Sequence, residues 1–219
     1  EDWLQPEWAN LRFFSDNPPT AEFPDGPRVS GARIQATGPS SCPTHLTIGR
    51  TRMWGIGLFP LGWARFIGED ASDHANTLVD GEASPLFERF APLCDMLCSR
   101  DHSDEEQFDA LTDFFRRLAG PPADQQRIQK VHEVMVDPQL LQVEDFAHRV
   151  GLSKRTLERV CARNFGFPPR LLLRRQRLMR SLAAFMLEPR SNWSDVIDRH
   201  YHDQSHFVHE FHAFMCCTP

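Results

Sequence analysis

The chain has 219 residues, of which 41% are hydrophobic and 25% charged, and its net charge is −6 at pH 7. That length allows two modest domains that each bury a core, and the lack of an apolar run of about eighteen residues excludes a transmembrane helix. The chain begins at Glu1 without an initiator Met or a basic start followed by an apolar segment, which predicts a cut or processed N-terminus and no secretion signal.

The charge is distributed unevenly along the chain. Residues 1–121 carry 10 Lys and Arg against 19 Asp and Glu, whereas residues 122–219 carry 14 against 11. Between Lys154 and Arg180 there are nine basic residues and one acidic residue, Glu158. Such an asymmetry predicts an acidic half joined to a half that binds a polyanion.

Six cysteines fall at irregular spacings, and three of them occupy positions where a helical pattern favours a small buried residue. This irregularity favours reduced thiols in a cytoplasmic protein over a disulfide framework. The cysteines are Cys42, Cys94, Cys98, Cys161, Cys216 and Cys217.

The first part of the chain combines turn signals with alternating segments. Residues 1–27 are rich in proline and predict loops with at most short strands. Residues 28–38 and 44–60 alternate apolar and polar side chains, which predicts a small antiparallel sheet. We expect the aromatic side chains of this sheet in its core rather than around a ligand cavity.

From Pro85 onward the apolar residues recur with a helical period. The pattern predicts two amphipathic helices, and Ser103 with Glu106 has the spacing of a capping box at the start of the second. Because neither helix has an evident partner, both are candidates for pairing with a second subunit. Their apolar stripes are Phe87, Phe90, Leu93 and Leu97, and Phe108, Leu111, Phe115 and Leu118.

No catalytic signature appears in this half. It contains no phosphate-binding loop, nucleophile elbow or metal-spaced His and Glu pair, and Cys42, in a proline-bounded loop, is expected to be a surface thiol. Gly120 suits a helix C-cap, and the two prolines that follow it cannot continue a helix. We therefore predict a regulatory, sensing or dimerisation domain over residues 1–120 and a second domain over residues 121–219.

The stretch "VEDFAHRVGLSKRTLERVCARNFG" has the pattern of a helix-turn-helix. It predicts a helix over Val143–Val150, a glycine turn, and a second helix that is capped by Ser153 and ends at Phe165. At about 100° per residue, the second helix has one apolar face and, opposite to it, a row of three arginines. A solvated charged face is the alternative interpretation, but the turn and the cap favour a recognition helix. The arginines are Arg155, Arg159 and Arg163.

The next segment, between Pro169 and Pro189, has no interior helix breaker. It predicts one helix of about 20 residues and about 30 Å, which is close to the ~34 Å pitch of duplex DNA. A helix of this length would hold two DNA-contacting units about one turn of DNA apart.

The end of the chain predicts a second helix-turn-helix. We expect a short helix over Trp193–Arg199, capped by Ser191 or Asn192, then a turn at residues 200–202 and a helix over Asp203–Phe214. In the last helix three phenylalanines lie on one side and four histidines on the other, as in a recognition helix. They are Phe207, Phe211 and Phe214, and His202, His206, His209 and His212.

The histidines admit two interpretations. An i, i+4 pair such as His202 and His206 is able to bind zinc, but a straight helix spreads the four histidines along about 15 Å, too far for one ion. We therefore predict no metal and no cofactor, and histidines that face DNA. Such a face predicts tighter DNA binding as the pH falls toward 6, because imidazole then gains a proton.

Three motifs, "GLSKRTLERVCARNFGFPP", "LLRRQRLMRSLAAFML" and "YHDQSHFVHEFHAFM" with a following "TP", stand in the order and spacing of a known family. Over about residues 123–219 the chain resembles the AraC/XylS-type bacterial transcription regulators. The resemblance implies an all-α domain of two helix-turn-helix subdomains joined by a long helix. With the small antiparallel sheet and the helices predicted for the N-terminal part, we expect an α+β chain. The resemblance also implies a transcription regulator with its recognition helices in successive major-groove segments of double-stranded DNA. The cysteines predict a cytoplasmic protein, and the lack of a nucleophile and base pair with suitable spacing predicts that it is not an enzyme.

The resemblance further implies partners and DNA-contacting residues. A small-molecule effector in the N-terminal domain, a second copy of the chain and RNA polymerase are candidate partners besides DNA, whereas a membrane is not. Arg155 and Arg159 are expected at phosphates or guanine edges, and Gln204 and Ser205 at base edges. The candidate DNA-binding residues are Ser153, Lys154, Arg155, Thr156, Glu158, Arg159, Arg163, Gln204, Ser205, His206 and His209.

The sequence departs from the family at four positions. The family usually has glycine where His200 and Cys216 stand, and a histidine in a turn that favours positive φ would add strain. It usually has Arg or Lys where His209 and His212 stand, and neutral imidazole attracts phosphate less strongly. The alternative function is therefore a protein-interaction module with the same fold and degraded DNA binding.

Overall fold

The computed structural model describes residues 1–118, 120–187 and 192–219. Within these ranges the N-terminal part forms eight strands, which are β1 (Asp2–Leu4), β2 (Ala9–Phe14), β3 (Thr20–Glu22), β4 (Arg28–Ser30), β5 (Ile34–Thr37), β6 (Thr44–Thr47), β7 (Met53–Leu58) and β8 (Leu78–Asp80). They make two four-stranded antiparallel sheets, with the strand orders β1-β6-β3-β4 and β7-β2-β5-β8. The predicted α+β class, with a β-rich N-terminal part, is confirmed.

The longest early strand, β2, lies inside the second sheet, where it pairs with both β5 and β7. Five of its six residues are buried, so one of the short strands expected over residues 1–27 lies at the centre of a sheet. The prolines flank this strand instead of interrupting it, which leaves its backbone amides free to pair. The two alternating segments are each divided by a turn, and each contributes one strand to each sheet, so there are two sheets and not one.

Three helices pack around the second sheet, namely α1 (Pro60–Phe66), α2 (Pro92–Cys98) and α3 (Asp104–Leu118). The capping box at the start of α3 is present: the Ser103 amide donates to Glu106 Oε2 at 2.8 Å, and the Glu106 amide donates to Ser103 Oγ at 3.2 Å. Phe87 and Phe90 are buried as expected, but they lie in and beside a short 3₁₀ turn before α2 begins.

The apolar stripe predicted for α3 is wrong at Phe108, whose side chain is 57% exposed, while its neighbour Gln107 is fully buried. The Gln107 amide nitrogen donates to the carbonyls of Met96 at 3.1 Å and Ser99 at 2.8 Å. Its oxygen accepts from the Trp54 indole at 2.8 Å. A polar side chain with satisfied hydrogen bonds therefore occupies the inner position that the apolar pattern assigned to phenylalanine.

The described C-terminal part is helical, as predicted. Its helices are α4 (Gln125–Met135), α5 (Val143–Val150), α6 (Lys154–Phe165), α7 (Pro169–Leu187), α8 (Trp193–Val196) and α9 (Gln204–Met215). The bounds expected for α5 and α6 agree with the structure, and Gly151 between them adopts φ +70°. We name α5 with α6 the first unit and α8 with α9 the second unit.

The second unit differs from the prediction in its first helix, which ends at Val196 and not at Arg199. The chain leaves the helix there because Asp198 is fixed to α7: its amide donates to Ser181 Oγ at 2.8 Å, and its carboxylate accepts from Arg180 at 2.6 Å. Asn192 caps α8, whereas Ser191 and the predicted helix stop at Pro189 lie outside the described residues.

The two turn positions where the family usually has glycine behave differently. His200 does not adopt positive φ, so the strain expected there is wrong. Cys216 does, with φ +55° at the end of α9, where its amide donates to the His212 carbonyl at 2.9 Å. Backbone strain from a non-glycine residue with positive φ therefore occurs at Cys216, the C-cap of α9.

The N-terminal part packs directly on the first unit. The Ala71 amide donates to the Arg163 carbonyl at 2.8 Å, and Gly166, at φ +82°, lies so close to Pro39 that an added Cβ would stand 2.6 Å from the proline ring. Trp8 and Phe165 also meet edge to face at 6.0 Å. The end of α6 is therefore held by contacts that no local pattern indicates.

All six cysteines carry free thiols. None of the helices in the described ranges is both long and apolar enough to cross a membrane.

Candidate nucleic-acid interface

The candidate DNA-contacting face of the first unit begins at the N-cap of α6. Ser153 Oγ accepts from the Thr156 amide at 3.2 Å, and the two hydroxyls lie 2.9 Å apart. This cap satisfies an amide that the first helical turn leaves without a partner. The Ser153 hydroxyl therefore stabilises the helix end and has less freedom to contact a ligand.

The apolar and charged faces of α6 lie as the helical period predicts. Its inner residues Leu157, Val160, Cys161, Asn164 and Phe165 are buried. Five of the candidate residues on this helix are exposed and one is half-buried. The exposed ones are Lys154, Arg155, Glu158, Arg159 and Arg163, and the half-buried one is Thr156.

The basic residues of α6 differ in their surroundings. Lys154 forms an ion pair with Glu144 of α5. Arg163 lies one helical turn beyond Arg159, at the end that receives the hydrogen bond from Ala71 of the N-terminal part. Arg155 and Arg159 lie nearer the start of the helix than Arg163 and are exposed, and neither is among the ion pairs of the described residues.

The second unit has the same organisation. Asp203 caps α9 by accepting from the His206 amide at 2.7 Å, and Phe207, Phe211 and Phe214 are buried. Gln204, Ser205 and His209 are exposed, as expected for a recognition face. His206 is the exception.

His206 is half-buried, so the expectation that it faces fully outward is wrong. Its ring packs edge-on against Tyr201 at 5.2 Å and stacks on His202 at 5.6 Å. At about 100° per residue, His206 lies at the edge of the histidine face that borders the phenylalanine face of α9, so part of its ring is covered. Within the described part of the chain, no three His, Cys, Asp or Glu side chains are grouped to hold a metal ion.

A buried ionic network attaches α9 to α7. Glu210 is 2% exposed, and its Oε1 accepts from Arg174 at 2.8 Å and from Arg177 at 2.6 Å, while Oε2 accepts from Arg177 at 3.1 Å. Burial raises the pKa of Glu210, but the hydrogen bonds from Arg177 and Arg174 outweigh it, and the pKa lies below its usual value. The carboxylate is thus charged and fixes the orientation of the second unit.

A groove of about 670 Å³ separates the two units. Its wall on α7 carries Arg170, Arg174 and Arg177, and its wall on the second unit carries His202, His206 and His209. Glu144 and Glu210 are the carboxylates in its lining, so three guanidinium groups face two carboxylates. The candidates on α6 do not line this groove, which means that the structure brings the histidines together but leaves Arg155, Arg159 and Arg163 on a separate face.

Residues 146–219, from within α5 to the end of the chain, match a family model described as a helix-turn-helix domain. The C-terminal part of the chain is an AraC/XylS-type helix-turn-helix domain. This match supports a DNA-binding transcription regulator, a class that is typically non-enzymatic. No curated protein matches the chain in sequence.

Two solved structures share the fold of the whole chain. One is a crystal structure of ToxT from Vibrio cholerae, with 11% identity and a TM-score of 0.54, which covers 100% of this chain and 92% of that chain. The other is the apo form of a ToxT variant from the same species, with 10% identity, a TM-score of 0.51, and coverage of 100% and 91%. At these identities the likeness concerns the fold, and it extends beyond the AraC/XylS-type domain to the N-terminal part.

The residues that hold this AraC/XylS-type domain together are not among those predicted from the sequence. Glu210 is the one acidic residue of α9, and it lies at the border between the apolar and the histidine faces, a signal that would have singled it out. Arg174 and Arg177 belong to the basic run that predicts polyanion binding, but each pairs with Glu210. The basic charge of α7 is therefore partly structural.

Proposed function

We propose that the chain is a sequence-specific transcription regulator that inserts α6 and α9 into successive major-groove segments of double-stranded DNA. One observation carries the proposal: each of these helices has an exposed polar face opposite a buried apolar face, and α7 joins their units. The 19 residues of α7 span about 28 Å, which is close to the ~34 Å pitch of the duplex.

The surroundings of the candidate residues suggest different roles. Arg155 and Arg159 are exposed, so we assign them contacts with phosphates or guanine edges. Gln204 and Ser205, exposed in the first turn of α9, are assigned neutral base-edge contacts. Lys154 forms an ion pair with Glu144, so its charge would attract DNA less strongly than that of an unpaired lysine. The remaining candidates on the two helices are Ser153, Thr156, Glu158, Arg163, His206 and His209.

We also propose that residues 1–120 regulate the domain over residues 121–219. The acidic charge of the first part and its direct packing on α6, through Ala71 and Gly166, support a coupling between the two. A small-molecule effector, a second copy of the chain and RNA polymerase remain candidate partners of this regulation. The exposed ring of Phe108 on α3 is consistent with a second copy as one of them.

The proposal is tested by selection from a pool of random duplexes at several salt concentrations. We compare the wild type with an Arg155→Ala, Arg159→Ala double variant and with Arg127→Ala, which removes an exposed charge on α4. The wild type and Arg127→Ala are expected to enrich one common site. If Arg159 contacts a base, Arg159→Ala alone costs about 1–3 kcal/mol and relaxes preference at that base. Equal weak binding by all variants, without enrichment, would favour the protein-interaction module.

A further inference from the structure

Two of the six cysteines lie one helical turn apart on α2, and their sulfurs are in contact. Cys94 Sγ and Cys98 Sγ are 3.5 Å apart, close enough for one thiol to donate a hydrogen bond to the other. Cys94 is completely buried in the core between α2 and the second sheet, whereas Cys98, the last residue of α2, is half-buried. A small molecule would therefore reach the pair from the side of Cys98.

The hydrogen bonds of the pair make Cys98 the more reactive thiol. Cys98 Sγ donates to the Phe14 carbonyl at 3.3 Å, which leaves Cys94 as the donor between the two sulfurs. That hydrogen bond holds the pKa of Cys98 below its usual value, and the Arg33 guanidinium acts in the same direction, although burial opposes both. The thiolate is the form of cysteine that attacks electrophiles and binds metals. Cys98 is thus expected to react first and Cys94 second.

The distance between the sulfurs selects the kind of atom that is able to bond to both of them. With bonds of about 2.3 Å, as in zinc thiolates, two sulfurs on one atom lie about 3.4–3.8 Å apart for bond angles from about 95° to about 110°. The observed 3.5 Å falls within this range. An ion that prefers two sulfurs in a straight line would require about 4.6 Å with bonds of that length. The pair therefore fits an atom with a bent arrangement of its bonds.

The number of ligands narrows the choice further. A structural zinc ion requires four ligands, but no three His, Cys, Asp or Glu side chains in the described ranges are grouped to hold a metal ion. Trivalent arsenic is also thiophilic, and it forms only three bonds, arranged as a pyramid. Two sulfurs and one group that the arsenic brings with it complete this arrangement. The pair therefore meets the requirements of trivalent arsenic and not those of zinc.

We propose that Cys94 and Cys98 form a binding site for a trivalent arsenical of the type R–As(OH)₂, in which R is a small group such as methyl. Each sulfur forms a bond to arsenic and displaces one hydroxide, which leaves as water together with the proton of that thiol. Two As–S bonds form while two As–O and two S–H bonds break, so the step needs no oxidant or reductant. The complete burial of Cys94 favours a compact R group.

An arsenic bridge would span the last turn of α2, which also holds α3. The carbonyls of Met96 and Ser99 at this end of α2 accept hydrogen bonds from the buried Gln107 amide of α3. Linking Cys94 to Cys98 restricts the backbone of the same turn, so the bound form should unfold at a higher temperature. Binding requires only the two thiols and does not rest on the proposed function.

The test adds methylarsonous acid to the full chain in an excess of reduced glutathione, a competing single thiol. Native mass spectrometry should show one arsenic per chain, bound with the loss of two water molecules, and the melting temperature should rise. Cys98→Ser should weaken binding at least about hundredfold, because one As–S bond lacks the gain of about 10²–10⁴ that a second linked contact provides. Cys216→Ser with Cys217→Ser removes two exposed neighbouring thiols and should bind like the wild type.

Cys94→Ala should weaken binding as much as Cys98→Ser does. If the loss of the buried thiol prevents folding, Cys98→Ser decides alone, since Cys98 is half-buried at the end of its helix. The proposal is overturned if the wild type forms no adduct in excess glutathione, if Cys98→Ser binds as tightly as the wild type, or if the variant without Cys216 and Cys217 loses binding. A chain that binds methylarsonous acid at this pair but binds no DNA would refute the proposed function and leave the arsenical site standing.

Discussion

The buried carboxylate of Glu210 allows a quantitative test of how the second unit is held. Glu210→Gln keeps the shape of the side chain but removes the charge that faces Arg174 and Arg177. The Arg177 side chain is 16% exposed and that of Arg174 is 39% exposed, so water compensates the second more than the first. Removing one partner of a fully buried pair costs about 3–5 kcal/mol; with the partial exposure of Arg174 we expect about 2–4 kcal/mol.

Hydrogen exchange of the α9 amides measures this effect where it acts, since the two parts of the chain need not unfold together. The exchange of α9 should speed up in Glu210→Gln, with little change in the β-sheets. Glu133→Gln, which alters an exposed glutamate on α4, is the matched control. A Glu210→Gln variant whose α9 exchange lies within about 0.5 kcal/mol of that control would refute the network as a source of stability.

The lowered pKa of Glu210 gives the same experiment a pH dependence. Because the folded-state pKa lies below the ordinary value of 4.5, the stabilisation is complete above that value and is lost as the pH falls through the lower folded-state pKa. The wild type should therefore approach the stability of Glu210→Gln in acid. An unchanged difference between the two at pH values well below 4 would contradict the assignment.

The N-cap of α6, the contact of Gly166 with Pro39 and the exposed histidine face of α9 each allow a further test. Ser153→Ala removes the N-cap of α6 and should cost about 1 kcal/mol in thermal or urea unfolding; no loss would mean that solvent replaces the hydroxyl. Gly166→Ala should cost more than Gly151→Ala, since both glycines adopt positive φ but only Gly166 approaches Pro39; equal losses would argue against tight docking of the N-terminal part. His209→Ala should weaken DNA binding at fixed salt and pH, because it removes an exposed hydrogen-bonding side chain of α9, and an unchanged affinity would remove His209 from the interface.

The first unit was predictable because its signals are local. A glycine that tolerates positive φ, a serine N-cap and an apolar face at helical spacing act within a few residues of each other, and Gly151 and Ser153 perform these roles in the structure. The capping box at Ser103 was predictable for the same reason. The DNA-contacting role expected for the exposed face of α6 comes from the family resemblance. Helical periodicity alone does not distinguish such a face from a solvated charged face.

The sequence-based predictions fail where residues that are distant in sequence determine the local structure. Gln107 is buried and Phe108 exposed, contrary to the predicted apolar stripe, because a carbonyl of α2 and the Trp54 indole form hydrogen bonds with the Gln107 amide. The early end of α8 depends on Ser181 and Arg180 of α7, which lie far away in sequence. Arg175 of α7 likewise contacts the Pro6 carbonyl and the Trp8 ring, and no sequence pattern places these residues beside α7.

Hydroxyl-radical footprinting on a selected duplex tests most directly whether both α6 and α9 contact DNA. We predict two protected segments about 10 base pairs apart on one face of the duplex. Arg155→Ala with Arg159→Ala should remove one segment, and Gln204→Ala with Ser205→Ala should remove the other. A single protected segment that the α9 variant leaves intact would contradict the claim.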